Sequence, residues 1–73
     1  MAEATPASHI EQIGETAGLV WHALDGEESL SVTKLVELIE APRDTVMQAI
    51  GWLAREGKIS IEQTKRGRMI SLR

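Results

Sequence analysis

Three amphipathic helices followed by a β-hairpin, an α+β arrangement that is mostly helical, is the fold class that the 73-residue sequence predicts. Three observations carry it. Apolar residues recur at intervals of three and four over three separate stretches before residue 57, the spacing that lines one face of a helix. Gly26 and Gly57 stand where the first and third stretches stop, and Pro42 stands where the third begins. Beyond Gly57 the period changes to simple alternation, which is the signature of strands.

The first helix is predicted over about residues 8–25. Ser8 with Glu11 three residues on is a capping-box pattern, in which each side chain satisfies a backbone N–H left free at the helix start. Residues 1–7 ahead of it are expected to be a flexible terminus, and 8–73 a single domain. Ile10, Ile13, Ala17, Val20, Trp21 and Leu24 form the expected inward stripe, with Gly26 as the stop after Asp25. Gly14 and Gly18 each cost roughly 1 kcal/mol relative to alanine inside a helix. Close approach by another helix is the expected compensation, with the same chain favoured over a second copy.

Leu30 is expected as a minimal strand, after which Ser31 caps a second helix ending near Ile39 or Glu40. Its inward face is Val32, Leu35, Val36 and Ile39. The third helix is predicted over about 42–56. Proline is tolerated in a first helical turn because its missing N–H has no intrahelical partner there, and Asp44 places a carboxylate at the positive end of the helix dipole. Val46, Ala49, Ile50 and Leu53 make the core stripe, and Gly57 supplies a left-handed stop.

Ile59 and Ile61 then point one way and Ser60 and Glu62 the other, Thr64 to Arg68 turn, and Met69 to Leu72 return. With Arg66-Gly67 as the two-residue turn, Lys65 pairs with Arg68, Gln63 with Ile70 and Ile61 with Leu72. That register puts the apolar side chains of both strands on one face. The order helix, short strand, helix, turn, helix, hairpin is that of a winged helix-turn-helix, with the hairpin as the wing.

Composition narrows the function classes. There is no cysteine, hence no disulfide, no thiolate metal site and no cysteine nucleophile. A domain this small buries only about 60% of the surface its unfolded chain exposes, so self-association is a live source of stability. The first residues lack the basic and apolar regions of a secretory signal, and no apolar run approaches the roughly 20 residues of a membrane span; a cytoplasmic setting without membrane contact is expected. The net charge of -3 conceals an asymmetry. Residues 1–40 carry eight acidic side chains against Lys34, a balance of -7, whereas residues 41–73 carry seven basic against three acidic, a balance of +4. Such a division marks either a side that faces polyanions or an ordinary solvated surface.

The phrases IGETAGLVWHAL (13–24) and AIGWLAREGKI (49–59) resemble those of a family of small stand-alone winged-helix proteins from bacteria and archaea. The resemblance covers nearly the whole chain. It implies that the second and third helices form the helix-turn-helix, that the third is the recognition helix, and that the turn from Lys65 to Arg68 is the wing. It implies no particular target.

Two readings of the surface follow. In the first, a DNA-binding, transcription-regulator-like protein lays the exposed N-terminal face of the third helix in the major groove of duplex DNA and its wing along phosphates. Arg43 then donates to guanine, Gln48 pairs with adenine, Thr45 contacts phosphate, and Lys65, Arg66 and Arg68 supply the wing's charge. Asp44 opposes that approach, and a single arginine on this face is fewer cations than such proteins commonly carry. In the second reading the chain is an interaction module without DNA binding. Met47, Gly51 and Trp52 lie beside the core stripe and form a self-complementary patch for a homodimer or another protein. Trp52 packing beneath the first helix or the hairpin is the plainer alternative, and Trp21 is assigned to the core.

Catalysis is not expected. His9 and His22 are thirteen residues apart, a spacing that does not bring two imidazoles to one helix face as metal ligands. Glu27 and Glu28 are adjacent carboxylates in a loop with no partner patterned around them, and no phosphate-cradling loop or nucleophile elbow occurs. No cofactor, metal or small-molecule substrate is expected.

Overall fold

A computed structural model describes residues 6–73, with side chains from His9 onward. Its elements follow the predicted order: α1 (Pro6–Leu24), β1 (Leu30–Ser31), α2 (Val32–Leu38), α3 (Arg43–Arg55), β2 (Ile59–Thr64) and β3 (Gly67–Leu72). Three helices and a three-stranded antiparallel sheet in the order β1-β3-β2 make a winged-helix α+β fold, with β3 central.

The helix ends show why these segments fold as they do. Helix α1 begins at Pro6, two residues ahead of the expected start, so Ser8 lies inside the helix; its side chain falls outside the described residues. Ser31 caps α2 as its residue type predicts, accepting a hydrogen bond from the Lys34 N–H at 3.0 Å. Pro42 occupies the cap position of α3 with no side-chain cap bond, and Asp44 sits in the first turn. At the other end of α3 the Gly57 N–H donates to the Ala54 carbonyl and the Lys58 N–H to the Leu53 carbonyl, at 3.1 and 3.0 Å. Those two bonds, with Gly57 at φ +74°, complete a Schellman stop.

Ala17, Val20 and Leu24 of α1, Leu35 of α2 with Ile39 just past its end, and Val46, Ala49, Ile50 and Leu53 of α3 meet Ile59 and Ile70 of the sheet in one buried cluster. The most extensive helix–helix contact is between α1 and α3. The α1 stripe is rotated from the expected one. Ile10 is 53% exposed and Trp21 37% exposed, whereas Thr16 is buried. The reason is angular: the buried line runs through Thr16, Ala17, Val20 and Leu24, and Trp21 lies 100° round the helix from Val20. Trp21 is therefore a surface residue rather than a core one. Met47, expected exposed and outside the core stripe, is instead partly buried and packs against the core.

The hairpin register differs from the expected one by two residues. Ile61 pairs with Ile70, Gln63 with Arg68 and Thr64 with Gly67, which leaves Lys65-Arg66 as the turn. Neither of those two residues has a positive φ, so the turn is not of the primed type; Gly67 takes φ +114° immediately after it. The Thr64 hydroxyl holds this geometry, accepting from the Arg66 N–H at 3.1 Å and donating to the Gly67 carbonyl at 3.0 Å. A shift of two preserves the face of every side chain, so the apolar face survives the change. Leu30 of β1 pairs with Ile70 on the far side of β3.

Candidate nucleic-acid interface

Alternation puts Ile59, Ile61 and Gln63 on one face of β2, where Ile59 is buried in the core and Ile61 is already 46% exposed, and Gln63's partner Arg68 continues the line of Ile70 and Leu72 on β3. Near the wing tip this face has passed beyond the core. There it meets the start of α2, fixed by the Ser31 cap, and the start of α3, fixed by Pro42. The result is an open cleft of about 330 Å³ that brings together Thr33, Arg43, Gln63, Arg66, Gly67 and Arg68. Among the described residues no acidic side chain lines it.

Three of the sequence-predicted contacts, Arg43, Arg66 and Arg68, are thus gathered in one place from elements more than twenty residues apart. All three are exposed. Lys65 belongs elsewhere: with Ser29, Glu62 and Met69 it lines a separate hollow on the outer face of the sheet, which Arg66 also borders. Gln48 is exposed one turn further along α3, while Thr45 is half-buried and so has less reach. Asp44 is exposed beside Arg43. Thr33 and Gln63 did not stand out in the sequence. Strand alternation places Gln63 with Arg68, and two residues of separation place Thr33 just after its cap, but only the packing of α2 against the wing makes them neighbours.

The second predicted surface divides differently. Gly51 and Trp52 are exposed, whereas Met47 is half-buried against the core. Trp52 instead walls an open groove of about 480 Å³ between α1 and α3, across from Gly14, Gly18 and Trp21. A Cβ built on Gly14 or Gly18 would meet nothing within 4 Å, so among the described residues no other helix presses on either glycine. The close approach expected within the chain is not found among the described residues.

Among the described residues no group of three or more His, Asp or Glu side chains is placed to hold a metal ion. His22 stands edge-on to Trp21, with ring centroids 5.5 Å apart. None of the described helices is long and apolar enough to cross a membrane.

Comparison with known proteins agrees with this architecture. The chain is 42% identical to the uncharacterized protein MJ1608 of the archaeon Methanocaldococcus jannaschii over 64 residues, 85% of this chain and 91% of that protein. The solution NMR structure of protein BT2368 from Bacteroides thetaiotaomicron superposes with a TM-score of 0.75 at 34% identity, covering 85% of this chain and 76% of that one. Residues 8–72 match the family described as a winged helix-turn-helix domain, DUF2582, and the chain belongs to that family.

Proposed function

We propose that this protein binds duplex DNA as a small transcription-associated regulator without catalytic activity, through the N-terminal face of α3 and the inner face of the wing. The observation that carries this reading is the convergence of Arg43, Arg66 and Arg68 on one cleft that has no acidic lining residue among the described ones. Three guanidiniums within one concave surface suit the phosphate oxygens of a nucleic-acid strand, which guanidinium forks engage with two parallel hydrogen bonds. Gln48 and Arg43 stand on the exposed side of α3, where a helix laid in a major groove presents its side chains to base edges. Asp44 and the acidic first half of the chain oppose non-specific attraction, so affinity for an arbitrary duplex is expected to be modest and steeply salt-dependent.

The test is fluorescence anisotropy of a labelled generic duplex titrated with the protein at about 50 and about 200 mM salt, where phosphate-driven contacts weaken steeply. Binding that fades with salt and is abolished in a variant carrying Arg43→Ala, Arg66→Ala and Arg68→Ala supports the proposal. Absence of binding at about 50 mM salt rejects it and leaves the interaction module as the better account.

A further inference from the structure

Three cations of the basic half, Arg55, Lys58 and Arg73, are exposed and take no part in the wing cleft. They gather about the open groove between α1 and α3. Lys58 lines that groove, and Arg55 stands one turn beyond Trp52 on α3. The Arg73 N–H donates to the Lys58 carbonyl at 3.0 Å, which seats the last residue beside Lys58. Glu56 is an exposed carboxylate on the same stretch, but among the described residues none lines the groove itself. Its walls hold Trp21 and Trp52, 37% and 41% exposed, and the chain has no other Phe, Tyr or Trp. The neighbouring ring of His22 meets Trp21 at an interplanar angle of 88°, an edge contact and not a stack. Gly14 and Gly18 border the same space, and a Cβ on either would meet nothing within 4 Å, so a flat body can lie against the α1 backbone.

We propose that this groove binds an unpaired nucleobase together with its phosphate. Two requirements met in one place single out that chemistry. An exposed indole accepts a ring laid upon it, and every nucleobase offers such a face whatever the sequence. Cations beside the rings accept the phosphate that the base carries. An apolar protein segment would use the tryptophans and leave Arg55, Lys58 and Arg73 without a counter-charge. A duplex would use the cations, but its bases are stacked on one another and closed to the indoles. The volume of about 480 Å³ lies within the range of about 300–1,000 Å³ typical of small-molecule sites, which suits a single nucleotide. The groove and the wing cleft share no lining residue, so this site stands or fails separately from duplex binding.

The two tryptophans are the natural reporters, because both line the groove and neither lines the cleft. Tryptophan emission of the full chain is followed during titration with a ten-nucleotide oligodeoxythymidylate, which forms no duplex, and separately with thymidine monophosphate, each at about 50 and about 200 mM salt. Saturable quenching that weakens with salt is the expected result. Quenching by the strand at a concentration about tenfold or more below that of the monophosphate assigns the site to single strands; equal potency assigns it to free nucleotides. Gly18→Leu fits the single chain, since a Cβ there meets only open space, and it keeps both reporters. It should remain helical by circular dichroism and bind about tenfold or more weakly, the scale of one lost base stack. Lys58→Ala should lower the salt slope for the strand by about 0.7, one phosphate contact on a single strand. The Arg43→Ala, Arg66→Ala, Arg68→Ala variant should be quenched as the parent is, even where it no longer binds duplex. No quenching by either probe at about 1 mM, full quenching of Gly18→Leu at the parent's concentrations, or loss of quenching in the triple variant would each overturn the assignment.

Discussion

The cleft at the wing and the groove between α1 and α3 have comparable volumes, about 330 and 480 Å³, and are made in opposite ways. The cleft is polar and assembled across the chain: α2 supplies Thr33, α3 Arg43, and the hairpin Arg66 and Arg68. Its shape rests on a turn held by one threonine and one glycine. The groove is apolar and rests on two regular helices, with two exposed tryptophans over a floor of bare backbone. The lesson is about cost. In the cleft the like charges of three guanidiniums are kept close, an arrangement that favours a polyanion. In the groove the expense is helix propensity and exposed aromatic surface, which only another apolar body offsets. The two places thus invite ligands of different chemistry, and changes made in one should leave the other unmoved.

The largest separation is expected from removing the charge of the cleft. Replacing Arg43, Arg66 and Arg68 together with alanine should weaken duplex binding by about a hundredfold or more, since a hydrogen bond to a charged group contributes about 1.5–3 kcal/mol. The slope of log affinity against log salt should fall by up to about three, at roughly 0.9 per lost phosphate contact. Anisotropy titrations at several salt concentrations read both quantities. Sedimentation of the same variant should match the parent, because none of the three side chains touches the groove.

A single type of substitution distinguishes the two regions by its sign. Gly14→Ala in α1 should raise unfolding stability by about 1 kcal/mol in dilute solution, because it restores helix propensity and its methyl group meets nothing within 4 Å. Gly67→Ala should lower stability by about 1–2 kcal/mol, because φ +114° is strained for any residue with a Cβ. Denaturant unfolding near 10 µM checks both. Destabilisation by Gly14→Ala at that concentration would mean that the groove is already occupied when dilute. Thr64→Val belongs to the same comparison with a smaller effect. Loss of its two hydrogen bonds around the turn should cost about 1 kcal/mol and loosen the wing alone.

What the sequence disclosed about these regions follows the range of the interactions involved. Helices α2 and α3 were legible to within a residue or two because each has a single apolar face, a proline or serine at its start, and, for α3, a glycine at its end. Helix α1 was ambiguous at its edge. The expected stripe from Val20 to Trp21 spans about 100° of the helix, as does the buried line through Thr16, Val20, Leu24 and Ala17, rotated by about 40°, and nothing local says which edge stays wet. The propensity cost of Gly14 and Gly18 was visible, but whether another helix of the chain lay over them depended on tertiary packing. In the hairpin, alternation disclosed which side chains share a face, while the choice between Lys65-Arg66 and Arg66-Gly67 as the turn rested on where one glycine takes its positive φ. The cationic residues were therefore legible as a set, and the division between Arg68 in the cleft and Lys65 behind it was not.

That division yields the smallest of the expected effects. Lys65 and Arg68 are both exposed cations of the wing, three residues apart, and composition treats them alike. The register separates them: Arg68 pairs with Gln63 on the face that looks toward α3, whereas Lys65 sits in the turn and lines the outer hollow with Glu62. If duplex DNA lies in the cleft, Arg68→Ala should weaken binding about tenfold or more and reduce the salt slope by about 0.9, the loss of one phosphate contact. Lys65→Ala should act only through the long-range field, changing affinity by about two- to threefold at 50 mM salt and less at 200 mM, where the Debye length falls below about 10 Å. Parallel titrations of the two variants at both salt concentrations make the comparison. Equal losses would mean that the DNA runs over the tip of the wing rather than along its inner face, and Arg43 would then be too far from the backbone path to share it.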